Sequence, residues 1–201
     1  MKLPKRVRNH VNPLADQTVY SFKGFPNNNP IIVDIGAYRG EFSQKLIEHF
    51  TERRNYIVAE IRKPYAHYLR ELFFDNKQVA VFDGNSAKNL HAILAPSIKK
   101  DIPIEYIFIN FPDPWFKEKH KKRRIITESF LQDCKTWIQP ETIFVFQTDQ
   151  QQLFLETQEA LRDENITYKE FGEPLFDITS YWEEMKRGEG SHIYRMTFSI
   201  T

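Results

Sequence analysis

The chain has 201 residues, a formal net charge of +1, 17 phenylalanines and a single cysteine, Cys134. That length fits one domain with a sizeable, ring-rich core. No apolar run approaches the roughly 18–20 residues of a membrane span, the basic N-terminus lacks the apolar stretch of a secretory signal, and one cysteine leaves no internal disulfide and no thiolate metal cluster. A cytoplasmic protein without membrane or metal is expected.

The small net charge hides a segregation. Lys2, Lys5, Arg6 and Arg8 give residues 1–10 a charge of +4, and Lys117, Lys119, Lys121, Lys122, Arg123 and Arg124 against Glu118 give residues 117–124 a charge of +5, so the rest carries −8. Cations gathered into two short segments of an otherwise acidic chain are the footprint of a polyanion partner.

In chain order, residues 1–29 are polar, basic and punctuated by Pro4, Pro13 and Pro26, and read as an arm. From Pro30 onward strand-like runs alternate with helical patterns. The strands are expected at Ile31–Ile35, Asn55–Glu60, Gln78–Asp83, Glu105–Phe111 and Glu141–Gln147. Between them Phe42, Leu46, Ile47 and Phe50 share one helix face, as do Ala66, Leu69, Leu72 and Phe73, and then Leu153, Phe154, Thr157, Ala160 and Leu161. This alternation predicts an α/β fold over residues 30–201, a mostly parallel sheet with helices on both faces. Ile193–Ile200 reads as a further, antiparallel C-terminal strand at the sheet edge.

In such sheets ligands bind beyond the carboxyl ends of the strands, and the conspicuous polar residues fall there. Asp34 and Gly36 close the first strand and Glu60 the second, Asp83-Gly84-Asn85 follow the third, Asp113 the fourth, and Thr148-Asp149 the fifth. Five in succession point to a shared crevice. Glu60 lies 24 residues past Gly36, the spacing at which an acid can accept both hydroxyls of an adenosine ribose. Positions 36, 38 and 41 hold Gly, Tyr and Glu, which fails the dinucleotide fingerprint, and no Gly-Lys-Ser/Thr loop is present. A ligand without phosphates needs less of that cradle, which favours S-adenosylmethionine.

The densest signal is Asn110-Phe111-Pro112-Asp113-Pro114-Trp115, followed at once by the cationic run. Each proline fixes its own φ and pushes the preceding residue out of the helical region, so the Asp113 carboxylate sits on a stiff turn beside flat aromatic faces. Carboxylate, rings and cations together suit an enzyme handling a base of a nucleic acid. Trp115 has two readings, stacking on an everted base or packing under the loop. Asp149 could engage a ligand or cap the helix beginning near Gln150. His120 belongs with the basic patch, and Cys134 with the core.

These motifs resemble the tRNA (guanine-N7)-methyltransferases, the TrmB-like branch of the class I methyltransferases. The resemblance is carried by Asp34-Ile35-Gly36, Ala59-Glu60-Ile61-Arg62, the Phe-Pro-Asp-Pro-Trp motif with Lys117, Lys122-Arg123-Arg124, Gln147-Thr148-Asp149, Thr179-Ser180-Tyr181 and Ile193-Tyr194-Arg195, with Arg8, His10, Asn12-Pro13 and Asp16 in the arm. It implies a Rossmann-like fold filling 1–201 as one methyltransferase domain, S-adenosylmethionine as cofactor, and tRNA as partner, acting alone, as a homodimer or with a partner subunit. By position it implies cofactor contacts for Asp34, Gly36, Gly40, Glu60, Asn85 and Asp113, with Asp113 also at the reaction centre. Lys117, Asp149, Thr179, Tyr181 and Glu183 would engage the target nucleoside, and Lys119, Lys121, Lys122, Arg123 and Arg124 the tRNA backbone. The reaction so implied is methyl transfer to N7 of a guanosine in the variable loop. Another class I RNA or small-molecule methyltransferase, or a tRNA-binding module without turnover, is the alternative. Three departures stand out: Tyr38 replaces the middle glycine of the cofactor loop, Asn85 stands where an acid is usual, and Trp182 follows Tyr181 where the family commonly has an acid, so that Glu183 would fill that role.

Overall fold

The computed structural model describes residues 11–16 and 21–200; the arm's Lys2, Lys5, Arg6, Arg8 and His10 lie outside them. Seven strands, β1 (Ile31–Ile35), β2 (Asn55–Glu60), β3 (Val79–Asp83), β4 (Ile104–Asn110), β5 (Ile143–Thr148), β6 (Tyr168–Glu170) and β7 (Tyr194–Phe198), form one sheet in the order β3-β2-β1-β4-β5-β7-β6. The first five pair in parallel. β7 runs antiparallel to both β5 and β6.

The mostly parallel α/β sheet with an antiparallel C-terminal strand is therefore as expected, and β1 and β2 coincide with the predicted runs residue for residue. One placement is corrected. β7 sits one position in from the edge, and the edge strand is β6, whose three residues include exposed Lys169 and Glu170 and so carry no alternation to read.

The helices are α1 (Glu41–His49), α2 (Lys63–Leu72), α3 (Ser86–Ile98), α4 (Glu128–Lys135), α5 (Gln151–Asp163) and α6 (Tyr181–Gly188). Side chains alternate across each strand, so β1 sends Val33 and Ile35 to one face and Ile32 to the other. On the first face Val33, Ile107 and Phe144 pack with Leu90 and Leu94 of α3, Leu131 of α4 and Phe154 of α5. On the second, Ile32, Val58 and Phe108 pack with Phe42 and Leu46 of α1 and Leu69 of α2. Cys134 is buried in the first of these clusters. Strands covered on both faces explain the near-continuous apolar runs at β1 and β2.

The expected start of the folded part at residue 30 is also corrected. Phe25 is buried in the core, and Phe22 meets Phe25 and Phe82 edge-on, each at 5.3 Å between ring centres. Polar neighbours masked these two rings in the sequence. Because β2 lies on one side of β1 and β4 on the other, the chain reverses its winding there, and a crevice opens between the loops that follow β1 and β4.

Candidate active site

A cleft of about 760 Å³ lies over the carboxyl ends of the strands, within the size range of small-molecule sites. Of the expected site residues it is lined by Gly36, Glu60, Asn85, Asp113, Asp149 and the cations Lys122, Arg123 and Arg124. Asp34, Gly40, Lys117, Lys119, Lys121, Thr179, Tyr181 and Glu183 do not line it.

The first wall is the loop from Gly36 to Gly40. Gly36, Tyr38 and Gly40 all take positive φ, +82°, +54° and +83°. Gly40 also needs to lack a side chain, since a Cβ there would come within 2.7 Å of Leu69 Cδ2; it is a close-packing position beneath α2. Tyr38 thus adopts the conformation that a middle glycine would take. The strain, about 1–2 kcal/mol, is offset by its ring, which packs on Tyr65 at 4.7 Å, Tyr181 at 5.6 Å and Trp182 at 5.9 Å, contacts of about 0.5–1.5 kcal/mol each. Burial and the neighbouring Tyr65 hydroxyl push the Tyr38 phenol up to about 12. Below the loop Asp34 is buried, and its Oδ2 accepts from the Ser43 hydroxyl at 2.5 Å. Burial raises this carboxyl to about 7, against the Ser43 hydrogen bond and with help from the charge of Glu60.

Glu60 ends β2 with almost no exposed surface. Its Oε2 accepts from the Tyr38 backbone N–H at 3.0 Å and from Arg62 Nη2 at 2.7 Å, and its Oε1 accepts from the Arg62 backbone N–H and Nε, both at 2.8 Å. Burial disfavours the Arg62 charge, but its pKa is raised by Glu60 above all, with Tyr65 and Asp113 adding to the effect. A single guanidinium therefore links the β2 acid electrostatically to the carboxylate after β4.

Asn85 caps α3 by accepting from the Lys88 N–H, donates its Nδ2 to the Pro13 carbonyl at 3.1 Å, and donates its backbone N–H to Asp16 Oδ2 at 2.6 Å. Val11, Pro13 and Leu14 consequently form part of the cleft wall. Composition alone had marked them as arm.

The Pro-Asp-Pro turn carries a feature that the prolines did not announce. Phe111 and Trp115, the aromatics on either side, take φ of +48° and +44°, uncommon for bulky residues and typical of functional strain. The Phe111 N–H donates to the Gln147 carbonyl at 2.8 Å, and Arg124 Nε donates to the Pro114 carbonyl at 2.7 Å. Both the Oδ1 and Nδ2 of Asn110 are enclosed without a hydrogen bond among the described residues. Trp115 lines the cleft with the Arg123 guanidinium 4.9 Å above its ring and His120 edge-on at 5.8 Å.

Two residues of the basic run are engaged within the chain. The Arg124 side chain is 8% exposed and paired with Glu156, so it anchors the turn and offers little to a backbone phosphate. Lys121 is paired with Glu118 at 2.6 Å and Glu156 at 2.9 Å. Burial opposes ionisation of Glu156, yet hydrogen bonds from Lys121, Arg124 and Gln152 hold its carboxyl at about 2. Lys117, Lys119 and Lys122 remain exposed.

The third wall is α6 and the end of β5. Asp149 Oδ2 accepts from Gln150 Nε2 at 2.6 Å and lies 3.7 Å from Lys186 Nζ; Gln150 holds the N-cap position of α5 without a side-chain capping bond. Thr179 is tied at the rim, with its hydroxyl donating to Glu184 and its oxygens accepting from Lys45. Glu183 is corrected: its carboxylate is fully buried and faces Arg195 and Arg187, joining α6 to β7. One residue past Trp182, the helix turns that side chain inward, while Trp182 itself lines the cleft.

A buried acid at the end of β2, apolar Ile35, Ile61 and Ile109, and the lack of a phosphate-cradling glycine loop suit S-adenosylmethionine. Comparison with known proteins agrees. A family profile described as "Putative methyltransferase" matches residues 28–193. A tRNA (guanine-N(7)-)-methyltransferase of Clostridium botulinum (strain Okra / Type B1) is 32% identical over 155 residues, covering 73% of this chain and 69% of its own. The enzyme of that name from Trichormus variabilis is 27% identical over 214 residues, 96% and 95% of the two chains. The aligned segment spans 63% of a relative of the same name from Lactobacillus acidophilus. Among solved structures a SAM-dependent methyltransferase from Aquifex aeolicus shares the fold, with a TM-score of 0.55 at 14% identity over 89% of this chain and 86% of that one. With sequence, fold and cleft in agreement, the chain belongs to the tRNA (guanine-N7)-methyltransferase family of S-adenosylmethionine-dependent enzymes.

Proposed function

We infer that the protein transfers a methyl group from S-adenosylmethionine to N7 of a guanosine in tRNA, by family resemblance one in the variable loop. The observation that carries this reading is the Asp113 turn, strained at Phe111 and Trp115, set in the same cleft as Glu60 and bordered by exposed cations. When bound, S-adenosylmethionine supplies an electrophilic methyl on a sulfonium. Guanine N7 has an in-plane lone pair and no proton at neutral pH, so the protein has no proton to abstract. What the chain must do is align the base and tolerate the positive charge that develops on the purine.

Glu60 would accept the ribose hydroxyls, with Arg62 yielding part of its bidentate grip. Asn85 would face the adenine edge, and Asp34, beneath the loop, would hold Gly36 and Tyr38 in place through Ser43. Asp113 would either accept from the guanine Watson–Crick edge or contact the methionine amino group, and in both positions its charge offsets that of the purine. Asp149 would position the target nucleoside, with Lys117 at the rim. Lys119, Lys122 and Arg123 would bind backbone phosphates, which gives affinity and salt dependence, not base choice.

No helix among the described residues is long and apolar enough to cross a membrane. A tRNA substrate supports a cytoplasmic location. Incubation with labelled S-adenosylmethionine and unmodified tRNA, followed by nucleoside analysis, tests the reading: label in 7-methylguanosine is expected. Cofactor binding without label in tRNA would identify a module without turnover, and label in another nucleoside a different base specificity.

A further inference from the structure

Two arginines at the cleft, Arg39 and Arg123, meet no acid among the described residues, and Arg123 lies over Trp115. Arg54, Arg62, Arg70, Arg124, Arg187 and Arg195 each meet a carboxylate. Arg39, in the loop between Tyr38 and Gly40, makes no ion pair or hydrogen bond among the described residues. Its guanidinium carbon lies 4.8 Å from the Tyr38 ring centre and 5.5 Å from that of Tyr181. Of its nitrogens only Nε is enclosed, and it too has no partner.

We propose that Arg39 is a phosphate-binding residue, packed beside the Tyr38 and Tyr181 rings at the α6 rim of the cleft to take a backbone phosphate next to the guanosine that enters it. Ring contacts on one side of the guanidinium hold it in place and leave its Nη N–H groups, which have no partner among the described residues, as a binding edge. That edge matches a phosphate oxygen pair, and a guanidinium is more weakly hydrated than an ammonium. The surroundings favour an anion of high charge: Arg62 lies 5.1 Å from the same Tyr38 ring, but Glu60 neutralises it, and nearby Lys45 is neutralised by Glu184. Among the described residues Arg39 is the cation of this loop left without a carboxylate, while Lys122 and Arg123 line the cleft itself. A nucleic-acid strand delivering a base to the cleft would meet Arg39 as well as the cations of the lining.

The position also ties substrate to cofactor. The Tyr38 ring supports Arg39, and the Tyr38 backbone N–H is bonded to Glu60, so a phosphate at Arg39 would stiffen the loop that walls the cofactor cleft.

The inference rests on tRNA being the substrate, and the test separates the two. With the full chain and an unmodified tRNA transcript, Arg39→Gln should bind roughly 10-fold more weakly near physiological salt, and the slope of log K against log salt should fall by about 0.7–0.9. Arg39→Lys should keep the slope, and calorimetry should give wild-type cofactor affinity for both variants. An Arg39→Gln protein with the wild-type slope overturns the proposal, as does an Arg39→Lys protein that loses as much slope as the glutamine variant, since packing alone would then explain the residue. Failure of the wild-type protein to methylate tRNA would instead sink the functional reading.

Discussion

The backbone N–H of Tyr38 donates to Oε2 of Glu60 at 3.0 Å, joining residues 22 apart in sequence. The acid at the end of β2 therefore fixes the loop after β1 as well as lining the cleft, and its removal should act on both.

Glu60→Ala is expected to weaken S-adenosylmethionine binding by about 1.5–3 kcal/mol, the scale of hydrogen bonds to a charged group, and to lower Tm because the Tyr38 N–H and the Arg62 guanidinium lose their acceptor. Calorimetry with cofactor and with NAD measures the first effect; NAD should not bind. Unchanged cofactor affinity would remove Glu60 from the ligand site.

Asp113→Asn keeps the shape of the turn and removes its charge. A fall in kcat on the order of 10²-fold is expected, the scale of one preorganised electrostatic contact, with tRNA affinity nearly intact. Since no proton is abstracted, the wild-type rate should show no general-base step attributable to Asp113. Near-normal single-turnover transfer by the asparagine variant would leave Asp113 a purely structural role.

The basic run should divide in two. Neutralising Lys119 and Lys122 should raise KM for tRNA and reduce the salt slope by roughly 0.7–0.9 per lost contact. Arg124→Gln should chiefly lower Tm, because it releases the Pro114 carbonyl and leaves Glu156 with Lys121 alone among its cationic partners. Equal salt effects at all three positions would mean that the Glu156 network opens to receive RNA.

Glu183 gives a sharp structural test. Replacing it with alanine strands Arg195, whose side chain is 3% exposed, and loss of one partner from a buried pair costs about 3–5 kcal/mol. Chemical denaturation should show that loss, while Glu184→Ala, at an exposed site, should be mild.

Asp34 carries the pH prediction. Its folded pKa, about 7, lies above the ordinary 3.8, so the folded state holds a proton that the unfolded chain has released. The associated stability is present below the unfolded pKa and is lost as pH rises through about 7. Asp34→Asn lacks this titration. Its Tm should gain on wild type between about pH 4 and 7 and then hold a constant difference; parallel Tm profiles would contradict the raised pKa.

Much of this molecule is legible in its sequence where one local pattern has one physical meaning. Strands buried on both faces must be apolar throughout, so β1 and β2 could be read to the residue. Glu60 and Asp113 fall at strand ends, where the fold class itself places ligands. Legibility stops where a residue's meaning depends on distant partners. Nothing local to Lys121 or Arg124 reveals Glu156, more than thirty positions on. The resemblance places Glu183 at the target nucleoside, and nothing near it in sequence announces Arg195 as its partner. Phe22 and Phe25 sat among polar neighbours that say nothing of Phe82. The left-handed turns at Phe111 and Trp115 have no sequence signature, since glycine, not an aromatic, is what such φ values normally select.

The place of β7 between β5 and β6 bears on how the chain can be assembled on the ribosome. β6 precedes β7 in the chain, yet its hydrogen-bonding partner in the sheet is β7. As synthesis proceeds from the N-terminus, β1 to β5 can pair as they emerge, whereas Tyr168–Glu170 must wait until Phe198 has been delivered. Arg195 arrives in the same late step, and with it the ion partner of Glu183 on α6. The β1–β5 scaffold with most of the cleft floor is thus available early in translation, and the wall that α6 contributes is fixed only when the last strand arrives.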